Sequence, residues 1–144
     1  MDVRRACEAL WDQYRGDCAG FARAVAEAVG VPLAGDANAI ADLLQAATDG
    51  WERLPDGIAA AAAAKDQLVL GGLRGDRQAS PNPHGHVVVV VDGPLNRGLY
   101  PTAWWGSLGG QPAKDETINW AWVEADRDKV MYAAHAIPTD AATS

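Results

Sequence analysis

The feature that most constrains the fold is a run of five consecutive valines, Val87 to Val91, which follows His86. Valine is β-branched and favours strands. A strand with one solvated face would alternate apolar and polar residues, whereas this run is apolar on both faces. It therefore predicts a central strand that is covered on both sides by other parts of the chain.

The chain before this strand is predicted to be mostly helical. Apolar residues recur at three- and four-residue steps in residues 1–15, 18–29 and 36–47, and glycine or proline follows each segment. Residues 51–56 are predicted to form a turn. The alanine-rich residues 58–65 are predicted to form a short helix, because alanine has the highest helix propensity.

Strands dominate the second half. They are predicted at residues 67–73, 86–91, 100–105, 120–123 and 129–136, and the tail at 139–144 is predicted to fray. Helices followed by strands indicate an α+β fold. Neither an internal repeat nor a long linker divides the chain, so residues 1–144 are predicted to form a single domain.

Charge and composition exclude several classes of partner. The formal net charge is -7 and no basic stripe is present, so we expect neither nucleic acid nor an anionic membrane surface as a partner. The longest uninterrupted apolar run, residues 58–64, is too short to span a bilayer. Charged residues within the first twelve positions are not typical of a secretory signal peptide, so we expect the chain to be made in the cytoplasm without one.

No cofactor or metal is expected either. The glycine pairs lack the residues that complete a phosphate-binding loop. His84 and His86 lack further ligands at metal-binding intervals. The two cysteines, Cys7 and Cys18, both lie near the start, so a disulfide framework is not predicted.

The candidate chemistry lies in a cysteine and a histidine at the beginnings of two predicted elements. Asp17 is a good helix N-cap, and Cys18 then lies in the first helical turn, where the helix dipole favours thiolate. His86 opens the polyvaline strand. A cysteine at a helix start and a histidine at a strand start form the papain-like arrangement, in which imidazole takes the thiol proton and later protonates the leaving amine. Taken singly, such a cysteine is also typical of simple core packing.

Two short motifs extend this interpretation to a family. Asp17-Cys18-Ala19-Gly20-Phe21 is similar to the [Asp/Asn]-Cys-Ser-Gly-Phe motif of NlpC-type cell-wall peptidases, and Gly85-His86-Val87 is similar to their Gly-His-Val. More specifically, residues 11–134 resemble the first family of type VI secretion amidase effectors, bacterial toxins that cut peptidoglycan. The other segments that carry this resemblance are Gly30-Val31-Pro32-Leu33, Asn38-Ala39, residues 68–75, residues 86–95, Tyr100-Pro101, Trp104, Gly106-Ser107 and Asp126-Arg127-Asp128.

The resemblance implies a papain-like, NlpC/CHAP-like cysteine amidase with N-terminal helices packed on an antiparallel sheet. It implies a DL-endopeptidase that hydrolyses the γ-D-glutamyl–meso-diaminopimelate bond of peptidoglycan stem peptides. Cys18 attacks the carbonyl, backbone N–H groups at the helix start stabilise the oxyanion, and His86 moves the proton.

The resemblance also implies partners and a place of action. A type VI apparatus exports the protein without a signal peptide into the periplasm of a target bacterium, and a periplasmic immunity protein protects the producer. A monomer is expected. The alternative function is a non-catalytic module on the same fold that binds the cell wall or a protein. The intact Cys18 and His86 favour the enzyme.

The third catalytic residue is left open by the sequence. In the wider superfamily a polar residue on the strand after the histidine strand orients the imidazole. An indole N–H cannot accept its proton, so Thr102, Ser107 or a backbone carbonyl remain as candidates. Ala19 replaces the usual serine of the motif.

Two residues are candidate substrate contacts. The resemblance suggests that Asp17 binds a substrate amine. Trp104 and Trp105 face opposite sides of a strand, so one is expected in the core and the other at a cleft, with Trp104 taken as the candidate. Asp126-Arg127-Asp128 is expected to be a solvated turn with weak ion pairs.

Overall fold

A computed structural model describes residues 2–138, so the predicted fraying of residues 139–144 lies outside the described part. Within that part the fold is α+β, as predicted, with helices that pack on a six-stranded sheet. The helices are α1 (Val3–Tyr14), α2 (Cys18–Ala28), α3 (Ala37–Ala46), α4 (Gly57–Ala63) and α5 (Glu124–Arg127). The strands are β1 (Trp51–Leu54), β2 (Gln67–Leu73), β3 (His86–Val90), β4 (Thr102–Trp105), β5 (Ala113–Thr117) and β6 (Met131–Ala136).

The sheet has the order β1-β6-β2-β3-β4-β5, and every pairing is antiparallel. Strand β3 therefore lies in the interior of the sheet, as the valine run predicts. None of the helices within residues 2–138 is both long enough and apolar enough to cross a membrane.

The first four helices begin in the same way. Asp2, Asp17, Asp36 and Asp56 each precede a helix, and each carboxylate accepts a hydrogen bond from a backbone N–H of the first turn. Such a cap typically contributes about 1 kcal/mol, because it satisfies an N–H that has no partner within the helix. These aspartates fix where the helices start, including the start of α2 at Cys18.

Two apolar layers cover the two faces of β3. Val87 and Val89 pack among buried residues of α1, α2 and α3, while Val88 and Val90 pack on the opposite face with Trp105 and other residues of the second layer. Val87 through Val90 are completely buried. The prediction of a central strand covered on both sides is therefore confirmed.

Two edge regions differ from the sequence prediction. Residues 51–54, predicted as part of a turn, form strand β1 and pair with β6. Residues 120–123, predicted as a strand, instead comprise the end of a short 3-10 turn, Ile118–Trp120, and the residues that lead from it to α5, and the strand of this region is β5. The sequence of β5, Ala113–Thr117, is mostly charged and exposed, so it lacks the apolar alternation that identifies a half-buried strand.

The motif Asp126-Arg127-Asp128 is not the solvated turn that was expected. Asp126 is only 2% exposed, and its carboxylate accepts the backbone N–H of Ala79 at 2.8 Å and the Lys129 ammonium at 3.3 Å. The Arg127 guanidinium donates to the carbonyl oxygen of Trp122 at 3.1 Å. The motif therefore ties the segment after β5 to the loop that precedes His86.

Candidate active site

Cys18 is the first residue of α2, and the end of β4 packs against it. Asp17 caps the helix through a 3.1 Å hydrogen bond from the N–H of Ala19 to its carboxylate. A side chain at Gly106 would place its Cβ 2.5 Å from the carbonyl oxygen of Asp17, so only glycine allows this approach. The N–H of Ser107 donates to the carbonyl oxygen of Arg15 at 2.9 Å. The start of α2 is thus fixed to the chain that leaves β4.

His86 is the first residue of β3, and two asparagines hold the loop before it. The Asn38 amide donates to the carbonyl oxygen of Pro83 at 2.9 Å, and the Asn82 amide oxygen accepts the N–H of Gly85 at 3.1 Å. Gly85 has a φ of +69°, and a Cβ there would lie 2.5 Å from the Asn38 amide oxygen. The sequence pattern indicates no role for these two asparagines, apart from the place of Asn38 in a motif of the resemblance.

The structure brings Cys18 and His86 to the same cleft, which has a volume of about 320 Å³. Asp17 and Ser107, two further candidates from the sequence, also line it. The remaining lining residues come from α2, from the start of α3 and from the loops beside β3 and β4: Ala19, Arg23, Asp36, Ala37, His84, Gly85 and Leu108.

Burial raises the pKa of the Cys18 thiol. The backbone N–H of Val87 acts in the opposite direction and favours the thiolate, while the negative charge of Asp17 raises the pKa further. The backbone N–H groups of Ala19 and Cys18 add smaller stabilisation of the thiolate. The N–H groups of the helix start favour thiolate, as expected, but desolvation outweighs them, so the net shift of the Cys18 pKa is toward the thiol.

His86 lies in an aromatic environment. The centroid of its ring is 5.2 Å from that of Trp122 and 6.3 Å from that of Trp105, with interplanar angles of 69° and 85°. Burial lowers the pKa of His86 to about 4, and neither a charge nor a hydrogen bond from another described residue contributes to this shift. At neutral pH the free protein therefore holds a neutral thiol and a neutral imidazole.

The two hydroxyl candidates for the third catalytic residue lie at the two ends of β4: Thr102 begins the strand and Ser107 follows it. Ser107 lines the cleft. In the antiparallel pairing of β3 with β4, Val89 lies opposite Trp104, and continuing this pairing along both strands places Ser107 opposite His86. Thr102 lies opposite Val91 instead, and its hydroxyl donates to the carbonyl oxygen of Pro94 at 2.7 Å. The structure therefore brings Ser107 to the cleft and does not bring Thr102 there.

Trp104 does not line the cleft. Its side chain is 3% exposed, packs edge-to-face on Trp11 with a centroid distance of 5.6 Å, and donates its indole N–H to Asp115 at 2.9 Å. Trp105 is on the opposite face, as expected from strand alternation, but it is buried against His86. Trp122, which also contacts His86, was missed because its contact depends on a turn that the sequence pattern does not indicate.

The other thiol and the larger surface depression lie elsewhere. Cys7 is fully buried in the layer that contains α1 and α2, and burial raises its pKa. A depression of about 720 Å³ lies between α1 and the start of β2, and none of its lining residues is a cysteine or a histidine. The smaller cleft is therefore the one that unites the groups with acid–base and nucleophilic chemistry.

Comparison with known proteins identifies a relative. No family model matches the chain. The peptidoglycan amidase Tse1 of Pseudomonas aeruginosa is 35% identical to it over an alignment of 147 positions, which spans 94% of this chain and 90% of Tse1.

Proposed function

Because the chain belongs to the type VI amidase effector family of the peptidoglycan amidase Tse1, we propose that it is a peptidoglycan amidase of papain-like fold in which Cys18 is the nucleophile and His86 the base. One observation carries the assignment of these residues. The thiol at the start of α2 and the imidazole at the start of β3 line one cleft, and the N–H of the residue after His86 stabilises the Cys18 thiolate.

The first half of the reaction transfers the acyl group to Cys18. As the sulfur attacks the amide carbon, the thiol proton passes to the neutral imidazole of His86 and the carbonyl oxygen becomes an oxyanion. Backbone N–H groups at the start of α2 stabilise that charge. The carbon–nitrogen bond then breaks, the proton on His86 goes to the departing amine, and a thioester remains on Cys18.

The second half hydrolyses the thioester. His86, neutral again, takes a proton from water as the water oxygen attacks the thioester carbon. The carbon–sulfur bond breaks, and the proton on His86 returns to sulfur. The products are a free carboxylic acid and the restored thiol, so the cycle requires no cofactor.

The bond that we propose is cleaved is the γ-D-glutamyl–meso-diaminopimelate bond of the stem peptide. The charges of the cleft support a substrate that carries both amines and carboxylates. Asp17 and Asp36 are acidic lining residues, and Arg23 is a basic one. We propose that the Asp17 carboxylate binds an amine beside the scissile bond, in addition to capping α2.

We further propose that residues 1–144 act as one domain, delivered by a type VI apparatus to the periplasm of a target bacterium. A periplasmic immunity protein of the producer would then occupy the cleft of Cys18 and His86. This part of the proposal rests on the family, and the free state of both thiols is consistent with folding in a reducing cytoplasm.

Digestion of purified peptidoglycan sacculi tests the function. Wild-type protein should release fragments whose masses and new termini place the cut between D-glutamate and diaminopimelate. Cys18→Ala should release none. Cys7→Ala is the matched control, because it removes the other thiol, which lies in the core, and it should retain cleavage.

Other results would contradict the proposal in separable ways. Cleavage by Cys18→Ala at the wild-type rate would exclude the nucleophile. Binding to sacculi without any product would support the non-catalytic module.

A second experiment tests the proposed site of action. Wild-type protein expressed with an added signal peptide should lyse a naive Gram-negative host, whereas protein confined to the cytoplasm should not. Equal toxicity from the cytoplasm would indicate an intracellular substrate.

A further inference from the structure

His86 lacks the polar partner that usually orients a catalytic imidazole. Within residues 2–138 no hydrogen bond to another residue influences its ring. Ser107 lines the same cleft, but its recorded polar contact is the backbone bond to Arg15. The hydroxyl of Thr102 is donated to Pro94. Something other than a carboxylate or amide must therefore set the orientation of this ring.

Two tryptophans occupy the space around it. The rings of Trp105 and Trp122 both meet the imidazole nearly edge-to-face, at centroid distances of 6.3 Å and 5.2 Å. Aromatic rings favour this perpendicular arrangement at centroid distances of about 4.5–7 Å. Contacts from two indoles restrict rotation about the χ2 angle of His86, which is the freedom that a polar third residue normally removes.

Both indoles are themselves fixed by contacts that do not involve His86. Trp105 is 2% exposed, lies on β4 and donates its indole N–H to the carbonyl oxygen of Gln111 at 3.1 Å. Trp122 is 5% exposed, and its carbonyl oxygen accepts the Arg127 guanidinium. The indole N–H of Trp122 has no hydrogen-bond partner within the described residues, so packing rather than a hydrogen bond holds this ring in place.

We propose that Trp105 and Trp122 are the positioning residues of His86 and form an indole clamp that replaces the polar third member of a catalytic triad. The clamp orients the imidazole toward the cleft and excludes water from its buried side. The catalytic role of the clamp rests on the proposed function, because it requires His86 to be the base of that reaction. The low pKa of His86 agrees with it, because the charged groups of the cleft, Asp17, Asp36 and Arg23, do not contribute to that shift.

Substitutions at Trp122 test the clamp through activity. Trp122→Phe keeps an aromatic ring and should retain kcat within about threefold. Trp122→Leu removes the ring and should lower kcat by roughly 10- to 100-fold with KM nearly unchanged, because a misplaced catalytic group loses about that much. Because the side of the imidazole that Trp122 covers is then open to water, the acid limb of kcat/KM should move from near pH 4 toward the ordinary value of about 6.5.

Trp11→Leu is the matched control. Trp11 is also buried and also makes perpendicular contacts, with Phe21 at 5.8 Å and Trp104 at 5.6 Å, but it belongs to the opposite layer. This variant should lower the melting temperature and leave kcat and the acid limb of the folded enzyme unchanged. If Trp122→Leu behaves like Trp11→Leu while Ser107→Ala loses activity, a polar third residue orients His86 and the clamp is refuted.

A measurement on the wild-type protein decides the question without an active variant. The ring protons of His86, assigned by their loss in His86→Gln, should be displaced from their ordinary positions by the indole ring currents and should titrate near pH 4. Resonances at ordinary positions that titrate near 6.5 would overturn the clamp. A wild type that fails to cleave peptidoglycan would instead refute the proposed function, and the resonances would still report on the clamp.

Discussion

Acidification should destabilise the folded protein through His86. Burial holds the folded-state pKa of this residue at about 4, whereas an exposed histidine in the unfolded chain has a pKa of about 6.5. Between these values the unfolded chain binds more protons than the folded protein. The free energy of unfolding therefore falls as pH decreases through this window, and the contribution of His86 amounts to about 3 kcal/mol by pH 4.

Urea unfolding at pH 7 and pH 4, followed by circular dichroism, measures this effect. Carboxylates also titrate over this range, so the informative quantity is the difference between wild type and His86→Gln, which removes the titrating group and keeps a polar side chain. The wild type should lose about 3 kcal/mol more than the variant between the two pH values. Equal losses in the two proteins would show that the partial burial of His86 at the cleft leaves its pKa near the ordinary value, and the predicted effect of burial would then be refuted.

Three further perturbations follow from the geometry. Asp126→Ala should lower the free energy of unfolding by about 1–3 kcal/mol, because the backbone N–H of Ala79 and the ammonium group of Lys129 lose their acceptor, a carboxylate that is itself buried. Asp128→Ala, at the exposed neighbour, is the control, and equal losses of the two variants in urea unfolding would argue against the contact of Asp126. Gly106→Ala should reduce both activity and melting temperature because its Cβ would displace the start of α2, whereas Gly16→Ala meets open space and should have little effect. Cys18 should react slowly with iodoacetamide at pH 7 and faster above pH 9, because burial raises its pKa; rapid alkylation near pH 6, followed by mass spectrometry, would contradict that direction.

The sequence was sufficient for the interior of the fold and insufficient for its edges. The valine run predicted a doubly covered central strand because burial on both faces leaves a local signature in the residues themselves. Strand β5 has no such signature, since most of Ala113–Thr117 faces solvent and the strand exists through its pairing with β4. Strand β1 likewise depends on pairing with β6, from which 76 or more residues separate it in the chain.

The candidate site likewise has a part that local sequence predicts and a part that it does not. Cys18 and His86 were placed at the starts of a helix and a strand by local signals, namely the helix cap Asp17 and the valine run that follows His86. The surroundings of the imidazole have no such local signal, because Trp122 reaches His86 only through the folding of a turn that Arg127 holds. The burial of Asp126 is tertiary for the same reason, since its main partner is the backbone of Ala79, 47 residues away.

The pKa of the Cys18 thiol cannot be predicted from the local sequence, because its largest cause is burial in the folded protein. A helix start alone favours thiolate, and a papain-like pair is commonly pictured as an ion pair, yet burial and Asp17 together raise the pKa of Cys18 while burial lowers that of His86. Proton transfer from sulfur to imidazole is therefore uphill in the free protein. In the proposed reaction the proton leaves sulfur only as the bond to the carbonyl carbon forms, and the negative charge then develops on the carbonyl oxygen. That reaction therefore depends on stabilising the oxyanion and on holding His86 in place rather than on a preformed thiolate. Because the thiolate is the form that oxidants attack, a resting thiol is also less readily oxidised, which suits the export that we propose for this protein.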